Sequence, residues 1–337
     1  MTRKKKCFIS TDWKTMTDEE EKKIAAWGHT LTDDISIDLT LTRDKRSDVF
    51  QNFCETLSRA APKIRTKKES EEELTPPVIR IRHVRYQSIP TERELDPFLS
   101  FLAAASDLAG QLPPDVREQL DKIRLPVFLK IYIMPLCPFC PATVMQLLSL
   151  AAANEWIRLT VIDGSLFPEL AESDKIRSTP TVLLEDRFRW TGTIRVREIV
   201  DVILNRDPSQ LSASSLMELI SNGDAAAVAK MMIDSGKVFP AFIELLAHKK
   251  WPVRLGAMVA LEAVIEERRE LAVQSIPVLW EYFPEADDTV KGDILFLLGN
   301  CRDEGVIPLL KMVLSGPYHA DVKEAAAEAL DGFSARG

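Results

Sequence analysis

The chain has 337 residues, of which 46% are hydrophobic and 28% charged, and its formal net charge is -8. That length exceeds one ordinary core and implies two or three domains, with the composition of a soluble globular protein. A net acidic chain argues against a nucleic-acid binder, and no apolar run reaches the ~20 residues that a membrane span needs.

The N-terminus, MTRKKKCFISTDW, is basic but lacks the apolar stretch of a signal peptide. The expectation is a cytoplasmic protein with neither a nucleic acid nor a membrane as partner. An alternating run, ISIDLTL at 35–41, predicts a strand, and an amphipathic helix follows at 47–61. Between them, TRDKRSD at 42–48 is charged and free of cysteine. Cys54 lies inside the helix beside Phe50 and Phe53 and reads as core. TPPVIR at 75–80 opens a further strand, and a helix is expected at 94–105. AGQLPP at 109–114 reads as a linker.

The same order then returns. VFLKIYI at 127–133 predicts a strand, and residues 141–153 a helix, with Cys137-Pro138-Phe139-Cys140 between them. Five cysteines are present: Cys7, Cys54, Cys137, Cys140 and Cys301. An odd, scattered set is a poor disulfide framework, and a lone close pair in a reducing compartment favours redox or metal chemistry. A closed zinc site needs four ligands, and His29 and His83 lie far from this pair in sequence. A strand-to-helix junction suits a thiolate, because unsatisfied N–H groups at a helix N-terminus favour an anion. Pro138 is expected to open that helix. The pattern predicts Cys137 as the nucleophile that attacks a disulfide and Cys140 as the thiol that resolves the mixed disulfide. Thr179-Pro180, in TPTVLL at 179–184, mirrors the earlier Thr75-Pro76, and a last helix is expected at 195–204.

A polar, Pro-containing linker at 205–210 precedes a helical region. After a first helical pair at 216–235, the dipeptides Val253-Arg254, Val290-Lys291 and Val322-Lys323 recur at spacings of 37 and 32 residues. Each follows a segment beginning with proline, and Asp287, Asp288 and Asp321 stand where helix N-caps are wanted. The pattern resembles HEAT repeats. That resemblance implies stacked antiparallel helices with a protein partner on their curved surface.

The segments CPFCPA at 137–142, IDGSLF at 162–167, STPTVLL at 178–184 and WTGTI at 190–194 together carry a second resemblance. The first 207 residues resemble the N-terminal disulfide reductase domain of the alkyl hydroperoxide reductase flavoprotein. They also resemble the related tandem-thioredoxin, glutaredoxin-like protein disulfide oxidoreductases. The resemblance implies an α/β class with two thioredoxin-like folds in tandem, followed by the all-α repeat region. Expected boundaries are 1–110 for a fold without a redox pair, 111–207 for the fold with C-P-F-C, and 209–337 for the helical repeats. It further implies a cis-proline at Pro180 and a substrate rest formed by Thr179 and Pro180, with Pro138 and Phe139 beside the sulfur. By alignment of PTERELDPFLSFL, Glu94 matches a glutamate that faces the dithiol in the flavoprotein relatives; equally, Glu94 is a first-turn helix residue.

No Gly-x-Gly-x-x-Gly follows a strand, so electrons are expected from a separate thioredoxin reductase-like donor, with no cofactor beyond the redox-active disulfide and no metal. Gly192 stands alone where glutaredoxins carry Gly-Gly-x-Asp. This favours protein disulfide substrates, such as a peroxiredoxin, over glutathione. Two other readings stay open: a redox-switched interaction scaffold without turnover, and an iron–sulfur-binding glutaredoxin-like protein.

Overall fold

The computed structural model describes residues 16–72, 74–103 and 105–334. The chain divides into two compact units, Met1–Asn205 and Arg206–Gly337. Cys7 lies outside the described residues.

In the first unit, α1 (Asp18–Gly28) is opened by a reciprocal capping box between Thr17 and Glu20. β1 (Ile35–Leu41), α2 (Ser47–Ala60), β2 (Ile64–Ser70), β3 (Val78–Ile81) and β4 (Val84–Gln87) follow. A 3-10 turn, Glu92–Glu94, leads into α3 (Leu95–Ala103), α4 (Ala105–Gly110) and α5 (Pro114–Leu120). The remainder is β5 (Val127–Ile133), α6 (Cys140–Ala153), β6 (Ile157–Asp163), α7 (Pro168–Ser173), β7 (Thr181–Leu184), β8 (Phe188–Thr191) and α8 (Val196–Asn205).

The eight strands among the described residues form one sheet, in the order β2-β1-β3-β4-β6-β5-β7-β8. Each half repeats one pattern. β1 runs parallel to β2 and antiparallel to β3, which is antiparallel to β4. β5 likewise runs parallel to β6 and antiparallel to β7, which is antiparallel to β8. The halves join where β4 pairs in parallel with β6, Tyr86 standing opposite Val161. Alternation explains β1, where Ile37 and Leu39 are buried and their neighbours are not. α6 is apolar on nearly every side because it lies against α3, α4, α5, α8 and β6. Its Leu147, Leu148, Leu150 and Ala151 are fully buried. His83 Nε2 donates to Ala151 O at 2.7 Å, tying the β3–β4 turn to the end of that helix.

Two expectations differ from the structure at their edges. The helix expected from 94 starts one residue later, since Glu94 closes a 3-10 turn and α3 begins at Leu95. The linker expected at 109–114 is narrower: residues 111–113 connect the two helices, with Gly110 closing α4 and Pro114 opening α5.

The second unit is helical: α9 (Ala213–Ser221), α10 (Ala225–Ser235), α11 (Pro240–Leu246), α12 (Trp251–Ala272), α13 (Ile276–Tyr282), α14 (Asp288–Cys301), α15 (Ile307–Ser315) and α16 (Ala320–Ser334). Contacts run from α9 to α11 to α13, and from α10 to α12 to α14 to α16, so the helices stack in two rows. Val253, Val290 and Val322 each point into that core. Arg254 is buried with them, held by Asp293 at 2.5 Å and by the carbonyl of His248 at 2.6 Å. Asp287 caps α14 by accepting from Val290 N at 2.9 Å, whereas Asp321 lies in the first turn of α16, not at its cap. Among the described residues no helix is long and apolar enough to cross a membrane.

Candidate functional site

β5 ends at Ile133 and α6 begins at Cys140, so the C-P-F-C motif occupies the bend between them. The N–H of Cys137 donates to Met134 O at 3.0 Å, closing a turn. Cys137 Sγ then donates to the carbonyl of Thr179 at 3.6 Å. The Thr179–Pro180 bond is cis. Thr181 Oγ1 donates to Ser178 O at 2.8 Å and Gly192 N to Pro180 O at 2.9 Å, so this loop is pinned on both sides. Gly192 has φ +84°, a conformation that other side chains rarely adopt.

The two sulfurs differ in access. Cys137 is half-buried, while Cys140 is fully buried. Burial, helped by the neighbouring Cys137, pushes the Cys140 thiol up to about 12. Phe139 and Pro138 are exposed beside Cys137. The helix does not open on Pro138, as the sequence suggested. Phe139 is the N-cap and Pro141 takes the first-turn place, so Cys137 stands one turn ahead of the helix.

Glu94 makes no hydrogen bond to either sulfur. Its 3-10 turn packs against α6, and the side chain is 5% exposed with no hydrogen-bond partner on either oxygen. Burial, with the Asp163 carboxylate adding to it, pushes the Glu94 carboxyl up to about 7. Tyr86 Oη and Ser88 Oγ, on and just after β4, are also buried without partners. Asp163, at the end of β6, is raised by burial although its Oδ1 accepts from Ser165 N, Ser165 Oγ and Leu166 N. The structure therefore brings Cys137, Cys140, Thr179 and Pro180 together. It sets Glu94 among buried polar groups close to Tyr86 and Asp163, with no hydrogen bond from Glu94 to either sulfur. Asp163 falls inside the IDGSLF segment, but its proximity to Glu94 has no signal in the local sequence.

The equivalent bend of the first half is closed by different chemistry. Thr42 Oγ1 donates to the carbonyl of Thr75 at 2.5 Å, and Thr42 N donates to Ser47 Oγ at 3.0 Å. Arg46 pairs with Asp44 and with Glu169 at 2.5 Å, donates to Leu166 O at 2.7 Å, and lies 4.1 Å from the Phe167 ring centre. The hydrogen bond from Arg46 holds the Asp44 carboxyl below the usual carboxylate range. This clasp joins the first half to the loop after β6, and sequence reading missed it. Cys54 and Cys301 are buried, with burial pushing both thiols up to about 12. Among the described residues, no three His, Cys, Asp or Glu side chains gather in a way that could hold a metal ion.

The thioredoxin domain family matches residues 128–205. The chain is 29% identical over 152 residues to the Pseudomonas aeruginosa alkyl hydroperoxide reductase F subunit, covering 43% of this chain and 29% of that protein. It is 25% identical over 206 residues to an NADH dehydrogenase of Ferdinandcohnia aciditolerans, covering 59% and 40% respectively. A protein disulfide oxidoreductase from Aeropyrum pernix is structurally similar across 59% of this chain and 97% of its own, with a TM-score of 0.52 at 14% identity. The chain thus spans 29% and 40% of the lengths of these two curated relatives. These likenesses show a thioredoxin-like α/β fold in the N-terminal part.

Proposed function

We propose that the chain is a thiol–disulfide oxidoreductase that exchanges the Cys137–Cys140 dithiol with disulfides of protein partners. One observation carries this reading: an accessible Cys137 whose Sγ lies 3.6 Å from the Thr179 carbonyl, beside cis Pro180, with a buried Cys140 behind it. In the reductive direction, the Cys137 thiolate attacks one sulfur of a client disulfide. The client S–S bond breaks, one client sulfur leaves as thiolate and takes a proton, and a Cys137–client disulfide forms. Cys140 then gives up its proton and attacks Cys137 Sγ, expelling the second client thiolate. Two electrons and two protons pass from the protein to the client, and a separate flavoprotein dithiol restores the pair.

Because burial holds the Cys140 proton tightly, the second step requires a base. Glu94, whose carboxyl sits near neutrality in a turn packed on α6, the helix that begins at Cys140, is the group we assign to it. The repeated strand order supports two thioredoxin-like folds in tandem, the first without its redox pair. The two-row helical stack supports a HEAT-like scaffold for a protein partner, and Trp251, Phe296 and Met312 are exposed on it. The hydroperoxide reductase and NADH dehydrogenase relatives favour a peroxiredoxin-like client and a flavoprotein donor.

The test is reduction of insulin disulfides by the full chain with a thiol donor. Cys137→Ser is expected to fall to background. Retained reduction by that variant contradicts the assignment.

A further inference from the structure

From Ile131 to Asn154 there is no Asp, Glu, Lys or Arg, in a chain of which 28% is charged. Much of this stretch is buried in β5 and α6, but the redox bend is not. Met134 is 46%, Leu136 78% and Phe139 66% exposed, all within five residues of one another around Cys137. Large apolar side chains left in water on one loop mark a contact surface.

The chain segment that carries the Thr179 carbonyl is rich in cations. Between Lys175 and Arg197 the chain carries six cations against two acids. Of those acids, Glu185 is buried and Asp186 is paired with Lys130 at 2.7 Å. Nearby, Asp174 is likewise engaged by Lys130 and by the Tyr132 hydroxyl, leaving exposed Glu172 on α7. Arg195 and Arg197 have acidic partners in Glu198 and Asp115. Lys175 and Arg177 are exposed and have no ion-pair partner among the described residues, and Arg177 stands two residues before Thr179. At physiological ionic strength charges are screened beyond ~8 Å, so the net charge of -8 of the whole chain does not set the charge felt at this loop.

We infer that the surface around Cys137 docks an extended, disulfide-bearing protein segment with an apolar residue beside its cysteine and acidic residues flanking it. This rests on the exchange chemistry proposed above and names its substrate class. The apolar residue covers Leu136 and Phe139, and the acidic flank meets Arg177 and Lys175. A basic flank is repelled there, so the site selects by charge as well as by shape.

The experiment is a single turnover, in which the pre-reduced full chain supplies both electrons. Three substrates are compared: a cyclic disulfide peptide with Leu beside its cysteine and a Glu-rich flank, the same peptide with a Lys-rich flank, and hydroxyethyl disulfide. The Glu peptide is expected to be reduced about tenfold faster than the Lys peptide, a difference erased at about 1 M salt, where the screening length is ~3 Å. The double substitution Lys175→Glu, Arg177→Glu is expected to invert the order of the two peptides, with its fold checked by circular dichroism. Equal rates for the two peptides, or an order unchanged in the variant, overturn the docking inference while hydroxyethyl disulfide is still reduced. Failure to reduce any of the three overturns the exchange chemistry and this inference with it.

Discussion

The two halves of the sheet share one strand order and part company at a single bend. After β5, a thiol donates to the carbonyl of Thr179; after β1, the hydroxyl of Thr42 donates to the carbonyl of Thr75. In both, the accepting carbonyl belongs to the threonine before a proline. The first bend is then locked by Ser47, Asp44 and Arg46, whereas the second leaves Leu136 and Phe139 in water and Cys137 within reach. The scaffold is thus indifferent to the chemistry placed on it. What separates a structural bend from a reactive one is which groups are left unsatisfied. The first half spends its polar groups on holding the second, through Arg46 on Leu166 and Glu169.

The largest effect expected on this comparison comes from Arg46→Ala. It leaves the buried Asp44 carboxylate without its cation and frees the loop after β6, so thermal or denaturant unfolding is expected to show a loss of about 3 kcal/mol. A loss within experimental error means that the two halves are held by the sheet alone.

A smaller effect, confined to higher pH, tests Glu94. The unfolded Glu94 carboxyl ionises near 4.5 and the folded one near 7, so between these values the folded chain binds the extra proton. Stability therefore falls as pH rises through that window and levels off above it, by ~3 kcal/mol at most. Glu94→Gln removes this dependence, and we expect it to be about 2 kcal/mol more stable than the parent at pH 8, with the gain fading toward pH 4.5. Denaturant midpoints measured across that range that run parallel for the two proteins contradict a protonated, buried Glu94.

Much of this was legible along the chain. The strands at 35–41 and 127–133 agree residue for residue with β1 and β5, because alternation is set by which face each side chain takes. The helices after them agree within one residue. The break between Glu94 and Leu95 was not legible, since 3-10 and α turns share the same apolar spacing over so few residues. Ala109 to Pro114 was read too wide because glycine and proline punctuate helix ends as readily as linkers; only residues 111–113 connect the helices. The Arg46 clasp was invisible for a different reason: its partner Leu166 lies 120 residues away, and only the β4–β6 pairing brings the two together. Asp163 beside Glu94 belongs to the same class of long-range contact.

The central claim, that Cys137 attacks and Cys140 resolves, is tested most directly by covalent trapping. Cys140→Ser, incubated with a disulfide client and mapped by mass spectrometry, is expected to accumulate a mixed disulfide on Cys137 that dithiothreitol releases. No adduct, or an adduct on Cys54 or Cys301 in its place, contradicts the account.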